Sequence, residues 1–272
     1  MQVTYAFIGA GNMGRALIGG LIAAGHPTDA IRVVETDPAA RAACRDAFAL
    51  EASSDLSAAG RDADVIVLAV KPQNMRQAAD ALAAEVRTDP LYLTVAAGIT
   101  SGQLASWIGR AVPIVRAMPN TPALIGAGIA ALYANGQVSA KQREQAARLL
   151  DAVGHALWLD DESQMDAVTA LSGSGPAYFF LFIEHLEAAG EALGLPAALA
   201  RRLALETAYG ASRLARESTQ APAALRAQVT SPGGTTEAAL ACFAEAGFGE
   251  MVVAALTKAR DRAVALSRQM DT

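Results

Sequence analysis

The sequence predicts an α/β domain built on a doubly wound parallel sheet, followed by an all-α domain. Up to residue 160, short aliphatic runs alternate with stretches of helical periodicity, the pattern of repeated βαβ units. A glycine-rich segment, Gly9-Ala10-Gly11-Asn12-Met13-Gly14, directly follows the first of those runs. Beyond residue 160 the strand signal disappears and only helical stretches remain. With 272 residues, 53% of them apolar, the chain has material for two ordinary domains, 1–160 and 161–272.

In chain order, VTYAFIG (3–9), IRVVE (31–35), DVIVLAV (64–70), LYLTVAA (91–97) and VPIVRAM (112–118) read as strands. Their near-continuous aliphatic character suits strands covered on both faces. Helices are expected between them near 12–24, 38–47, 73–86 and 101–109, then a strand at GIAALYA (128–134) and a helix at 139–152. In the second part, 163–195, 197–217, 221–230, 235–247 and 249–269 read as helices punctuated by Gly and Pro. Within the first of these, Tyr178, Phe179, Phe180, Leu181, Phe182 and Ile183 are consecutive. They point all around a helix, so that helix has to be covered on every side. Either a second subunit packs around it, giving a homodimer, or it is the central core helix of one chain.

Charge and composition exclude several classes of function. A net charge of −5 with no basic stretch argues against a nucleic-acid binder. Residues 117–136 carry no charge, but Pro119, Asn120, Thr121, Pro122 and Asn135 interrupt them, which argues against a membrane span. MQVTYAFIGAG enters a strand at once, without a basic leader or cleavage site. Cys44 and Cys242 are isolated, with no CxxC and no metal-ligand spacing, as suits a reducing cytoplasm. The expectation is a soluble cytoplasmic protein without a metal.

The segment Gly9–Gly14 stands between a strand and a helix, the context in which GxGxxG binds a dinucleotide. Gly9 allows a tight turn, Gly11 lets backbone approach a pyrophosphate, and Gly14 permits close helix–strand packing, with Ala10, Asn12 and Met13 between them. The helix N-terminus then offers N–H groups to phosphate. This makes the first domain Rossmann-type. Other strand ends agree: Ala69-Val70-Lys71-Pro72, Ala96-Ala97-Gly98 and Met118-Pro119-Asn120-Thr121-Pro122 put small or rigid residues on one edge. They form either a nicotinamide cleft or merely the stops of strands. Glu35, with Asp37 nearby, stands where an acid holds a ribose 2′-hydroxyl, so the spacing favours NAD. Arg41 and Arg45 are placed to attract a 2′-phosphate instead.

The acceptor end is less obvious. His26, His155 and His185 are scattered, and no lysine lies between 142 and 257, which excludes the lysine-dependent pattern of 6-phosphogluconate-type dehydrogenases. Two turn-to-helix segments remain, Leu171-Ser172-Gly173-Ser174-Gly175-Pro176 and Ser231-Pro232-Gly233-Gly234-Thr235-Thr236. Each offers backbone N–H groups and hydroxyls at a positive helix end. The dipole contributes about 0.3–1 kcal/mol toward an anion, and each charge-assisted hydrogen bond about 1.5–3 kcal/mol. That suffices for a small carboxylate without arginine. Simple capping by Ser or Thr explains the same pattern.

ALSGSGPAYFF and VTSPGGTTEAAL, behind GAGNMG, AVKPQ, VAAG and RAMPNTP, resemble the pyrroline-5-carboxylate reductase family over about residues 5–266. The resemblance implies a Rossmann domain and a helical dimerisation domain that interlocks with a partner's, with dimers assembled into rings such as a decamer. It implies reduction of the ring C=N of 1-pyrroline-5-carboxylate to L-proline by NADPH or NADH, the last step of proline biosynthesis. On this resemblance Ser231, Gly233, Gly234, Thr235 and Thr236 cradle the substrate carboxylate, and the Thr236 hydroxyl lies near the imine nitrogen. Ala69, Val70, Lys71, Pro72, Ala97, Gly98 and Asn120 line the cofactor, and Ser172 and Ser174 shape the site or the dimer contact. Many relatives carry Ser or Arg after the second strand where this chain has Glu35-Thr36-Asp37, which leaves NADPH against NADH open. A protonated cyclic imine is already electrophilic, so alignment of two rings, worth about 7–11 kcal/mol, is the main requirement. Two other readings keep the fold: an enzyme acting on another cyclic imine or a keto acid, and a nucleotide sensor without turnover.

Overall fold

Strand β1 (Tyr5–Ile8) sends Tyr5 and Phe7 into one apolar core and Ala6 and Ile8 into another, and all four side chains are buried. A strand apolar on both faces needs a layer on each, the situation of a parallel sheet sandwiched by helices. In the computed structural model, which describes residues 2–56, 62–86 and 89–270, seven more strands join it. They are β2 (Ile31–Val34), β3 (Ala52–Ser53), β4 (Val65–Leu68), β5 (Leu91–Thr94), β6 (Ile114–Met118), β7 (Gly128–Ala134) and β8 (Gly154–Trp158). The sheet runs β3-β2-β1-β4-β5-β6-β7-β8. Every pair is parallel except β6–β7, where the chain doubles back through the Pro119–Pro122 turn.

The chain divides into two compact units. One runs through Ser174 and takes in the stretch from Lys258 onward; the other is Gly175–Thr257. In the first unit, helices α1 (Asn12–Ala23), α2 (Pro38–Phe48), α3 (Met75–Glu85), α4 (Ser101–Ile108) and α5 (Ala140–Asp151) cover the sheet. Leu17, Ile18 and Leu21 of α1, Cys44 of α2 and Leu149 and Leu150 of α5 seal one face. Met75, Ala79 and Leu82 of α3 and Leu104 and Ile108 of α4 seal the other. Local signals place these helices: Asp37 caps α2 ahead of Pro38, and Thr100 with Gln103 forms a capping box on α4.

Three features depart from the sequence expectation. Strand β3 has two residues, too few for a periodic signal. Strand β8, GHALW, lies at the sheet edge and alternates half-buried with exposed residues, so it lacks the aliphatic run of the inner strands. The stretch 163–195 is not one helix. It breaks into α6 (Met165–Val168), a π-helical turn over Thr169–Gly173 and α7 (Gly175–Ala192). The Ser174 N–H reaches back five residues to the Thr169 carbonyl, 2.8 Å. Pro176 has no N–H to donate to that turn, so it marks a new helix start.

The second unit holds α7, α8 (Ala197–Glu217), α9 (Pro222–Gln228), α10 (Thr235–Glu245) and the start of α11 (Phe248–Gln269). Helices α7 and α8 form a hairpin closed by small residues: a Cβ on Gly190 would stand 3.0 Å from that of Ala200. Phe182, Phe243 and Phe248 make a chain of tilted rings. Much of the apolar surface stays uncovered. Phe179 and Phe180 are each 64% exposed, and Leu181, Leu203, Tyr209 and Val253 are exposed too. Helix α7 is therefore not a core helix buried within its own chain. Among the described residues no single helix is long and apolar enough to cross a membrane.

Candidate active site

Strand order reverses at β1, which has β2 on one side and β4 on the other. A crevice opens at the carboxyl ends of parallel strands at such a switch point. Gly9, the first residue beyond β1, has φ +102° and donates its N–H to the Val34 carbonyl, 2.8 Å away. A Cβ here would meet the Ala69 carbonyl oxygen at 2.7 Å, so the turn requires glycine twice over. Gly14, in the first turn of α1, is pressed as closely: its Cβ would lie 2.4 Å from the Gly9 oxygen. Gly11 is different, for nothing lies within 4 Å of the Cβ it lacks. As the N-cap residue it also has no side chain with which to cap α1. A bare helix N-terminus facing open space is an anion site, and these residues fit the pyrophosphate of a dinucleotide.

Beside this loop, at the end of β2, Glu35 is half-buried and its carboxylate is held at both oxygens. Oε2 accepts from the Ala10 N–H at 2.7 Å and Oε1 from the Asp37 N–H at 2.9 Å. Arg41 on α2 donates to the carbonyls of Glu35 and Thr36, 2.9 and 2.8 Å. Asp37 is spent on the Ala39 N–H. Asn12 accepts from Arg15, 3.0 Å away, and Met13 packs against the core.

The remaining strand ends line the same edge. Ala69 extends the β1–β4 ladder by donating to the Ile8 carbonyl, and Val70 packs on the core. Lys71 is exposed where Pro72 opens a short 3-10 turn. Ala97 is half-buried, whereas Gly98, at φ +77°, lies beneath Leu266 and Ser267 of α11. Asn120, beyond β6, is buried and bonded at both ends of its amide: it donates to the Ser172 carbonyl at 3.1 Å and accepts from the Ile129 N–H at 3.0 Å. It thereby fastens the Ser172 turn to the sheet edge. The Ser172 hydroxyl donates to the Val168 carbonyl, 3.1 Å, and Ser174 is half-buried at the start of α7.

In the helical unit, Ser231–Thr236 form the turn into α10. Gly233 takes φ +71°, and Gly234 is the N-cap residue, again with no side chain to cap the helix. The Ser231 hydroxyl folds over Gly234, where a Cβ would sit 2.5 Å from it. One donor of the expected cradle is already used: the Gly233 N–H donates to Glu237 Oε2 at 2.7 Å. The Gly234 N–H closes the turn on the Ser231 carbonyl. The N–H groups of the first turn left for an anion are those of Thr235, exposed, Thr236, half-buried, and Glu237, at the positive end of α10.

Sequence reasoning missed two contributors. Glu237 reaches back from the third helical position to the N–H of Gly233, one residue before the N-cap, and the spacing Gly234-x-x-Glu237 was the available signal. Glu162 had none. Its carboxylate accepts from the Ser101 N–H (2.7 Å) and hydroxyl (2.6 Å) and lies 3.4 Å from Arg116, whose side chain is 4% exposed. Asp166 stands 3.8 Å from the same guanidinium. This buried group ties β6 and α4 to the segment that leads into the Ser172 turn.

A doubly wound sheet with a glycine-lined crevice at its switch point defines a Rossmann-type dinucleotide-binding protein, here with a helical unit attached. Residues 162–266 match the family model described as pyrroline-5-carboxylate reductase dimerisation, and residues 4–98 match one described as NADP oxidoreductase coenzyme F420-dependent. The pyrroline-5-carboxylate reductase of Pseudomonas aeruginosa is 51% identical over 97% of both chains. That of Escherichia coli K12 is 36% identical over 98% of this chain and 100% of its own. Among solved structures, a pyrroline-5-carboxylate reductase from Coxiella burnetii superposes with a TM-score of 0.92 at 39% identity, covering 98% of this chain and 99% of its own. The Plasmodium falciparum enzyme with NADP bound gives 0.87 at 28% identity, covering 97% and 98%. The chain belongs to the pyrroline-5-carboxylate reductase family.

Proposed function

We propose that this chain reduces the C=N bond of 1-pyrroline-5-carboxylate to give L-proline, the closing reaction of proline biosynthesis. The observation that carries the reading is the bare, twice-glycine helix tip at Ser231–Thr236 in a chain that also bears the dinucleotide crevice. The Gly9–Gly14 loop holds the pyrophosphate of NADPH or NADH. Glu35 and Asp37 face the adenosine ribose, and Ala69, Val70, Lys71, Pro72, Ala97, Gly98 and Asn120 form the wall toward the nicotinamide. When bound, the reduced nicotinamide supplies a hydride. The Thr235 and Thr236 N–H groups receive the substrate carboxylate, with the turn from Ser231 through Gly233 and Gly234 shaping the pocket. The Thr236 hydroxyl orients the imine nitrogen and its proton. Ser172, fixed through Asn120, and Ser174 shape the site.

The exposed apolar faces of α7 and α8 and the match to a dimerisation model support a homodimer, with rings of dimers as the larger assembly. An acidic chain with two free cysteines fits a cytoplasmic enzyme that engages neither nucleic acid nor membrane.

Steady-state oxidation of NADH and NADPH tests the reading, with 1-pyrroline-5-carboxylate, its six-membered homologue, 1-pyrroline without the carboxylate, and a keto acid. The five-membered imino acid should give the highest kcat/KM, at least tenfold above carboxylate-free 1-pyrroline. Equal rates with and without the carboxylate, or no turnover with any imine, would end it. Sedimentation as a monomer at micromolar concentration would remove the dimer.

A further inference from the structure

The two oxygens of Glu35, at the carboxyl end of β2 and bonded to the Gly9–Gly14 loop through Ala10, have unequal consequences for the two nicotinamide dinucleotides. An ionised carboxylate only accepts hydrogen bonds and has about four positions to accept at. Two are filled by the Ala10 and Asp37 N–H groups, at 2.7 and 2.9 Å. The others remain for donors arriving from the crevice, and the vicinal hydroxyls of an adenosine ribose are such donors. A ribose 2′-phosphate brings no donor in its ionised form and about −1.5 to −2 charges. The neighbouring cation is tied to backbone rather than turned to the ribose. Arg41 donates through Nη1 to the carbonyls of Glu35 and Thr36, which holds it against the Glu35 backbone. Arg45, one turn further along α2, lies beside Asp46, and Asp37 adds a second negative charge at the start of that helix.

We infer that Glu35 makes this crevice selective for NADH over NADPH, with Arg41 as the residue that positions it. The inference rests on the reading of the crevice as a nicotinamide dinucleotide site and specifies which dinucleotide it takes. The Ala10 contact adds a structural consequence: the selectivity residue is bonded to the loop that carries the pyrophosphate. Removing the carboxylate therefore relaxes discrimination and frees the Ala10 N–H for a phosphate oxygen.

Equilibrium titration of the full-length protein with NADH and with NADPH, followed by nucleotide fluorescence and without any imine, separates this inference from the proposed reaction. The unmodified protein should bind NADH at least tenfold more tightly than NADPH. Glu35→Ser should cut that ratio at least tenfold, mainly by tightening NADPH. Glu35→Gln, which removes the charge at nearly constant shape, should move the ratio the same way by a smaller factor and covers the case in which the serine variant does not fold. Equal affinities in the unmodified protein, or a ratio unmoved in both variants, would overturn the selectivity role. Binding of neither nucleotide would overturn the cofactor reading and this inference together.

Discussion

Adding one methyl group at Gly14 and, separately, at Gly11 tests the cofactor crevice most sharply, because the structure assigns opposite costs to the two. At Gly14 the new Cβ would stand 2.4 Å from the Gly9 carbonyl oxygen, against 3.4 Å for the near edge of ordinary contact. The missing 1.0 Å has to come from backbone, since the obstructing atom belongs to the turn itself. Helix α1 must slide away from β1 and carry the Gly9–Gly14 loop with it. Overpacking of this kind costs about 1–3 kcal/mol, and a displacement near 1 Å costs about 10²-fold in a positioned reaction. Gly11 has nothing within 4 Å of its added Cβ, and its φ of −65° and ψ of −170° suit alanine. Gly11→Ala should leave stability within about 0.5 kcal/mol while weakening NADH binding, because its methyl group fills the space through which the phosphates approach. Urea unfolding and nucleotide titration of both variants measure the two effects independently. A Gly11→Ala variant that binds NADH as tightly as the parent would refute the placement of the pyrophosphate.

Thr236→Ala is expected to lose about 10²-fold or more of kcat, in the range of a positioned proton-handling group, with NADH affinity unchanged; an unaltered kcat would take the hydroxyl out of the mechanism. Glu162→Ala strips Ser101 of its acceptor and leaves the nearly buried Arg116 with Asp166 alone. A loss of about 3–5 kcal/mol is expected by urea unfolding, and a loss below about 1 kcal/mol would mean that water already shares that charge. Burial pushes the Tyr5 hydroxyl up to about 12 from an ordinary value of 10.0. Below pH 10 both folded and unfolded chains keep this proton, so nothing is lost there. Between pH 10 and 12 only the unfolded chain releases it, and stability should fall by about 3 kcal/mol. Tyr5→Phe should remove that share of the alkaline decline, and an unchanged stability–pH curve would show that Tyr5 is not the group responsible.

What the sequence made legible was what neighbouring residues decide among themselves. GAGNMG announced a turn and a helix start because its three glycines act within one loop, and the aliphatic strands announced a sheet buried on both faces. Glu35 was recognisable as an acid at the end of β2, but its bond to Ala10 joins residues 25 apart in the chain and depends on β1 and β2 being paired. Glu162 and Ser101 lie 61 apart, with nothing local in either to announce the other. The π-helical turn at Thr169–Gly173 was hidden for another reason: helical periodicity runs through it, and the break depends on where the Ser174 N–H finds its acceptor. The Ser231–Thr236 turn was legible as a helix tip, while Glu237's claim on the Gly233 N–H shows that part of its donor set serves the fold rather than a ligand.

A structure of the protein bound to its dinucleotide and to proline would test the account at its centre. The proline carboxylate should lie within hydrogen-bond reach of the Thr235 and Thr236 N–H groups, with the Thr236 hydroxyl beside the ring nitrogen. A carboxylate held by other groups, with the Ser231–Thr236 turn left to water, would contradict it.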